Sequence, residues 1–187
     1  MLAEIILAAV SVSSAALPYD EPYDAPHALH AASTVQDGGA TTNRAADRLI
    51  GGILSYVRWP DLRPLASRKI CVVGVPKLSS NLRPLLPGNV AMHISYRDAR
   101  DVIQTDGCDA LFLGSIPVAD RQKLIGWVRG RPVLTLTDTD PSCSGGAMFC
   151  LVERQHGPTF LVNLDAIARG PLRVDPRVLR IGKDGLP

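Results

Sequence analysis

Lys69-Ile70-Cys71-Val72-Val73-Gly74-Val75 (KICVVGV) has no polar residue after its first. A strand with one wet face alternates, whereas an unbroken apolar run marks a strand buried on both faces, as in the middle of a parallel sheet. Ala91–Tyr96, Ala110–Gly114 (ALFLG) and Pro132–Thr137 (PVLTLT) read as three more strands. Leu78–Leu86 between the first two reads as a short helix broken by Pro84. Pro117–Arg129, with Leu124, Ile125, Trp127 and Val128, reads as a longer one. Strands alternating with helices imply right-handed crossovers and a parallel core sheet. Upstream, Ala46, Leu49, Ile50, Ile53, Leu54 and Val57 fall on one stripe of a helix over Asn43–Trp59, capped by Asn43 and stopped by Pro60. Gly51-Gly52 sits in its middle. Each glycine there costs about 1 kcal/mol against alanine, so the helix packs closely at that point or bends.

Downstream lies Cys143–Asp165 (CSGGAMFCLVERQHGPTFLVNLD). Its strand-like runs, Ala147–Arg154 and Thr159–Leu164, meet across Gln155-His156-Gly157-Pro158 and read as a β-hairpin. Asp175-Pro176 then opens a last helix to Ile181, with Asp175 as N-cap. The expected fold is a three-layer α/β domain over residues 43–187, its mainly parallel central sheet extended by a C-terminal antiparallel hairpin.

The 187 residues are 46% hydrophobic and 20% charged, an ordinary globular balance for one domain plus extensions. Net charge is +2 and aromatics are 5%, with basic residues scattered, which argues against a nucleic-acid partner. Met1–Ala16 (MLAEIILAAVSVSSAA) has an apolar core from Ile5 to Val10 and ends in small residues. It reads as a signal peptide with Ser14 and Ala16 before the cleavage site, although Glu4 stands where a basic residue is usual. A short buried helix is the alternative. Leu17–Thr42, rich in Pro, Gly, Ser and Thr, reads as a flexible extension.

The chain has 4 cysteines and no C-x-x-C, and its 4 histidines lack zinc-ligand spacing, so no metal is expected. Two disulfides in an oxidising compartment fit better. Gly145-Gly146 lets the chain fold back between Cys143 and Cys150, which makes that short bridge feasible. Cys71 and Cys108 stand at the starts of the first and third strands. If the third strand lies beside the first, they are neighbours about 4.8 Å apart. Reduced, buried cysteines acting as small hydrophobes are the alternative, and four cysteines allow three connectivities.

No phosphate loop, dinucleotide fingerprint or nucleophile elbow occurs. Thr137-Asp138-Thr139-Asp140 could hold a metal, but more readily caps the turn before Pro141. Ser115 and His93 have no partner that would make a nucleophile and base. These residues point away from an enzyme and toward a binding protein. On the hairpin, Phe160, Val162 and Leu164 are expected to face the core. Leu161, with Phe149 and with Ile167 in a short Asp165-capped turn, forms a candidate partner-binding patch.

The ordered set resembles the YfiR family. The carrying residues are Tyr56–Pro60 (YVRWP), Lys69–Gly74, Cys108–Gly114 (CDALFLG), Arg131–Thr135, Gly145–Val152 and Phe160–Asp165. The resemblance implies a periplasmic inhibitory protein and no enzyme. It would bind the periplasmic sensor domain of an inner-membrane diguanylate cyclase of the YfiN type and repress cyclic di-GMP production, and so biofilm formation. An outer-membrane lipoprotein of the YfiB type would sequester it. A homodimer without cofactor is implied, redox-sensitive through disulfides at Cys71, Cys108, Cys143 and Cys150. A periplasmic small-solute-binding domain, with a pocket near Ser115 or Asp138, is the alternative. A hydrolase using Asp138 and Asp140 is a third reading.

Overall fold

The computed structural model describes residues 36–182; the expected signal peptide and the extension up to residue 35 lie outside the described residues. Helix α1 (Gln36–Ser55) begins ahead of Asn43, so the end of the expected extension is helical. Its apolar stripe is as expected: Ala46, Leu49, Ile50, Ile53 and Leu54 are buried. Beyond it, β1 (Val57–Arg58) pairs antiparallel with β8 (Arg173–Val174), which ties the end of α1 to the C-terminal segment. No helix among the described residues is long and apolar enough to cross a membrane.

The main sheet contains β2 (Lys69–Val73), β3 (His93–Arg97), β4 (Ala110–Leu113), β5 (Leu134–Thr137), β6 (Phe149–Arg154) and β7 (Gly157–Val162). Its order is β3-β2-β4-β5-β6-β7, parallel from β3 through β6, with β7 antiparallel at the edge. Alternation sorts the side chains into two cores. Ile70, Val72, Ala110, Phe112, Leu134 and Leu136 face α1. Cys71, Val73, Leu111 and Leu113 face Val102 of α2 (Ala99–Thr105) and Leu124 and Val128 of α3 (Val118–Val128). Each fully buried Val, Leu, Ile or Phe among these contributes about 1.5–3 kcal/mol of hydrophobic stabilisation. The three-layer α/β expectation is met.

Two local expectations are not, and one helix was not foreseen. Leu78–Leu86 is irregular, although Leu78, Leu82 and Leu86 are all buried. Proline at 84 lacks the N–H that a helix interior needs. Asp47 of α1 holds the segment instead. Its Oδ1 accepts from Ser79 Oγ (3.1 Å) and Arg83 N–H (3.0 Å), and its carbonyl accepts from Leu85 N–H (3.1 Å). Helix α2 was not foreseen; Asp98 caps it by accepting from Asp101 N–H at 2.7 Å. The last helix, α5, is only Val178–Ile181. Asp175 makes a turn ahead of it, its carboxylate accepting from Arg177 N–H at 2.9 Å.

Of the two alternatives at Gly51-Gly52, close packing is the one found at Gly51. A Cβ there would lie 2.1 Å from the Leu85 carbonyl oxygen. Gly51→Ala is therefore expected to push the 78–86 strap off α1 and destabilise by about 1–3 kcal/mol. Thermal melting checks this, and an unchanged melt would show that the strap yields freely.

The starts of β2 and β4 are knotted together. Arg68 is 1% exposed and stacks on Trp59, 4.3 Å from the ring centroid. Its guanidinium donates to Asp109 Oδ1 (3.1 Å), Asp61 Oδ1 (2.5 Å) and the Arg63 carbonyl (2.8 Å). Asp109 also accepts from the Arg63 side chain and from Lys69 N–H, and its carbonyl takes the Trp59 indole N–H at 3.2 Å. Cys71 and Cys108 are bonded beside this knot, with Cα atoms 5.8 Å apart.

Candidate functional site

The second disulfide joins Cys143 to Cys150, Cα atoms 5.4 Å apart, and staples the loop after β5 to the start of β6. Asp140 organises that loop. Its Oδ2 accepts from Gly145 N–H (2.6 Å), its Oδ1 from Ser142 Oγ (3.1 Å), and its carbonyl from Cys143 N–H (3.1 Å). Gly146 has φ 93°, a conformation that favours glycine, and a Cβ there would meet Ile125 at 2.7 Å.

Asn163 connects the staple to the next element. Its Nδ2 donates to the Cys143 carbonyl (3.1 Å) and its backbone N–H to the Met148 carbonyl (2.9 Å). Its Oδ1 caps α4 (Leu164–Ala168) by accepting from Ala166 N–H (2.9 Å). Asn163, not Asp165, is thus the cap, a favoured residue type there. Strand β7 ends at Val162, so Leu164 leaves the core and is 72% exposed.

The proposed patch residues separate. Phe149 is fully buried and meets Phe160 edge-on, ring centroids 5.6 Å apart, so it offers nothing to a partner; β6 is covered on both faces here. Leu161 is half-buried against the stapled cysteines and Ala147. Ile167 is half-buried on α4 against the α1-side core.

Between α3 and α4 runs a groove of about 630 Å³. Met148, Thr135 and Ile125 line its bottom, and Arg121, Arg129, Asp165 and Arg169 its sides. Arg121 donates to the Gly114 carbonyl (3.1 Å), Thr137 Oγ1 (3.1 Å) and Thr139 Oγ1 (2.5 Å), all neutral. Arg169 pairs with Asp165 at 2.5 Å. Gly126 of α3 also lines the groove, and a Cβ there would meet nothing within 4 Å. It weakens α3 by about 1 kcal/mol against alanine.

The residues considered for catalysis have other work. Ser115 exchanges backbone hydrogen bonds with Val75 (2.8 and 3.4 Å), closing the end of the β2–β4 crevice. Asp138 Oδ2 accepts from Lys77 N–H (2.6 Å) and Leu78 N–H (2.8 Å), which pins the strap to β5. Burial raises the Asp138 pKa, opposed by those hydrogen bonds. A cavity of about 340 Å³ beside it is bounded by Lys77, Pro141 and Arg154. His93 is exposed on β3. Among the described residues no three His, Cys, Asp or Glu gather closely enough to hold a metal ion.

Asp140 behaves differently from Asp138. Burial pushes its pKa up, but the Gly145 N–H, the Ser142 hydroxyl, the Ser144 N–H and the Arg121 charge outweigh this and hold it below 3.8. A depressed carboxyl stabilises the fold fully above its unfolded value, and that support fades as pH falls through the folded value. Solvent screening limits the effect to about 1 kcal/mol or less. Urea midpoints of the native protein should thus fall more steeply below pH 4 or so than those of Asp140→Asn. Parallel curves would contradict the role given to Asp140.

Asn163 and the groove are what sequence reading missed. Asn163 ahead of Leu-Asp-Ala-Ile is a legible N-cap, whereas the groove depends on where α3 and α4 come to rest. A family model described as YfiR/HmsC-like matches residues 44–183, well over half of the chain, and takes in the whole main sheet, the staple and α4.

Proposed function

Because the chain belongs to the YfiR/HmsC-like family, whose members regulate diguanylate cyclases from the periplasm, we propose that it is a periplasmic inhibitor of such an enzyme and not itself a catalyst. It binds the periplasmic sensor domain of a YfiN-type cyclase in the inner membrane, lowers cyclic di-GMP output and restrains biofilm formation. A YfiB-type outer-membrane lipoprotein relieves the inhibition by sequestering it, and it works as a homodimer. The observation that carries this reading is the stapled surface. Leu161 packs on the Cys143–Cys150 cluster, and Asn163 ties the same loop to α4, which bears Ile167 and the exposed Leu164. Two disulfides suit an oxidising compartment. Reducing the shorter one would free the loop that positions this surface, which makes inhibition sensitive to redox state.

Inhibition requires a preference for the inactive cyclase conformation, since equal affinity for both shifts nothing. A preference of about a hundredfold is about 2.7 kcal/mol, within reach of one or two apolar anchors such as Leu161 and Ile167. The test is intracellular cyclic di-GMP in the native host with and without the gene. A rise on deletion, reversed by a secreted copy and not by a cytosolic one, is expected. Unchanged cyclic di-GMP would turn the reading down.

A further inference from the structure

We infer that the groove between α3 and α4 is the docking site for an acidic, extended segment of the partner protein, whose carboxylates meet Arg121 and Arg129 and whose backbone passes over Gly126. The inference rests on the repressor reading for the statement that a protein carries this segment. The chemistry of the groove is independent of that reading.

Charge is the first ground. Three guanidinium groups line the groove against one carboxylate, Asp165, and that one is already paired with Arg169. Arg121 is oriented by a carbonyl and two hydroxyls and makes no direct ion pair among the described residues, while its charge also acts on the Asp140 carboxylate. The nearby Asp140 carboxylate is engaged by Gly145 and Ser142. The Arg129 side chain has no ion pair or hydrogen bond among the described residues, and it is exposed. A surface of this kind favours an acidic partner, and fixed guanidinium groups suit carboxylates.

Gly126 is the second ground. Gly51 is a helix glycine with an internal reason, since the Leu85 carbonyl occupies the space of its Cβ. Gly126 sits inside α3 with open space where its Cβ would be. Among the described residues nothing occupies the space of the missing side chain, yet α3 is weakened by it. Bare helix backbone at the side of a groove lets another chain approach closely. Met148 and Ile125 beneath give an apolar residue of that chain a place to rest.

The test uses the oxidised full-length protein and two labelled probes: the periplasmic domain of the host cyclase, and a short synthetic peptide alternating Asp with Leu, with its Lys counterpart as control. The cyclase domain and the Asp peptide are expected to bind, and the Lys peptide is not. Gly126→Ala is expected to raise the melting temperature by about 2–4 °C while weakening both probes about tenfold. Arg129→Glu is expected to weaken both about tenfold at low salt and less at high salt, with an unchanged melt. Leu161→Asp is expected to impair only the cyclase domain. If the cyclase domain binds native protein and both groove variants equally, the groove inference fails and the repressor reading stands. If the peptide binds with the expected sensitivities and the cyclase domain does not bind, the groove stands and the repressor reading fails. If neither binds, both fail.

Discussion

Asp109→Ala is expected to destabilise the domain by about 3–5 kcal/mol, the range for leaving a buried charge without its partner. Asp109 takes hydrogen bonds from Arg68, Arg63 and Lys69 N–H at once. Arg68 is almost wholly enclosed, and its Nε already finds no acceptor among the described residues. Removing Asp109 leaves Asp61 as the remaining carboxylate, and Asp61 is 41% exposed, where solvent screens the pairing. The Arg68–Trp59 stack would persist, but cation–π attraction at a desolvated site is only about 2 kcal/mol. The loss is large beside a typical total stability of about 5–15 kcal/mol. Urea unfolding would measure it. Adding Arg68→Met should recover part of the loss, because an apolar residue no longer needs the carboxylate. If Asp109→Ala costs less than about 1 kcal/mol, Asp61 alone satisfies Arg68 and the knot is not what holds the starts of β2 and β4 together.

The same knot explains what could be read from the sequence. KICVVGV and ALFLG were legible because a strand buried on both faces leaves a continuous apolar run. Their adjacency was the condition under which Cys71 and Cys108 could be bonded, and both the pairing and the bond are there. The roles of Trp59, Arg68 and Asp109 were not legible, since they depend on residues 50 and 41 positions apart meeting. At Leu78, Leu82 and Leu86 the apolar spacing was read as a helix. The residues are buried, but Asp47 and Pro84 set a different backbone beneath the same pattern. Phe149 failed because the hairpin register sets it opposite Val162 on the α1 side, whereas Leu161 pairs with Cys150 on the other face. Strand β6 lies between β5 and β7, and Phe149, Cys150 and Leu151 are all buried. Gly126 drew no reading from the sequence, and only the position of α4 makes it part of a groove.

The two disulfides should separate stability from partner binding. Cys71–Cys108 spans 37 residues of sequence separation and Cys143–Cys150 spans 7. In the chain-entropy picture these closures contribute about 4 and about 2.5 kcal/mol. Burial widens the gap. Cys71 lies at 0% exposure in the α2–α3 core, so Cys71→Ser also places a hydroxyl among Val102, Leu111 and Leu124. Cys143 sits at the surface end of a small cluster with Ala147, and its loop keeps the Asp140 hydrogen bonds after the sulfur bond is gone. Cys71→Ser is therefore expected to melt well below Cys143→Ser. Binding should run the other way. The native-like Cys143→Ser domain loses the fixed position of the Cys143 carbonyl that Asn163 grips, and with it the alignment of Leu161 and α4. Its affinity for the cyclase sensor domain should fall about tenfold or more at a temperature where it remains folded. Cys71→Ser, compared below its own melting temperature, should bind nearly as the native protein does. Equal melts for the two variants, or equal binding at matched folded fraction, would remove this division. The shorter bond would then be one more brace of the fold and not the control point of the surface beside it.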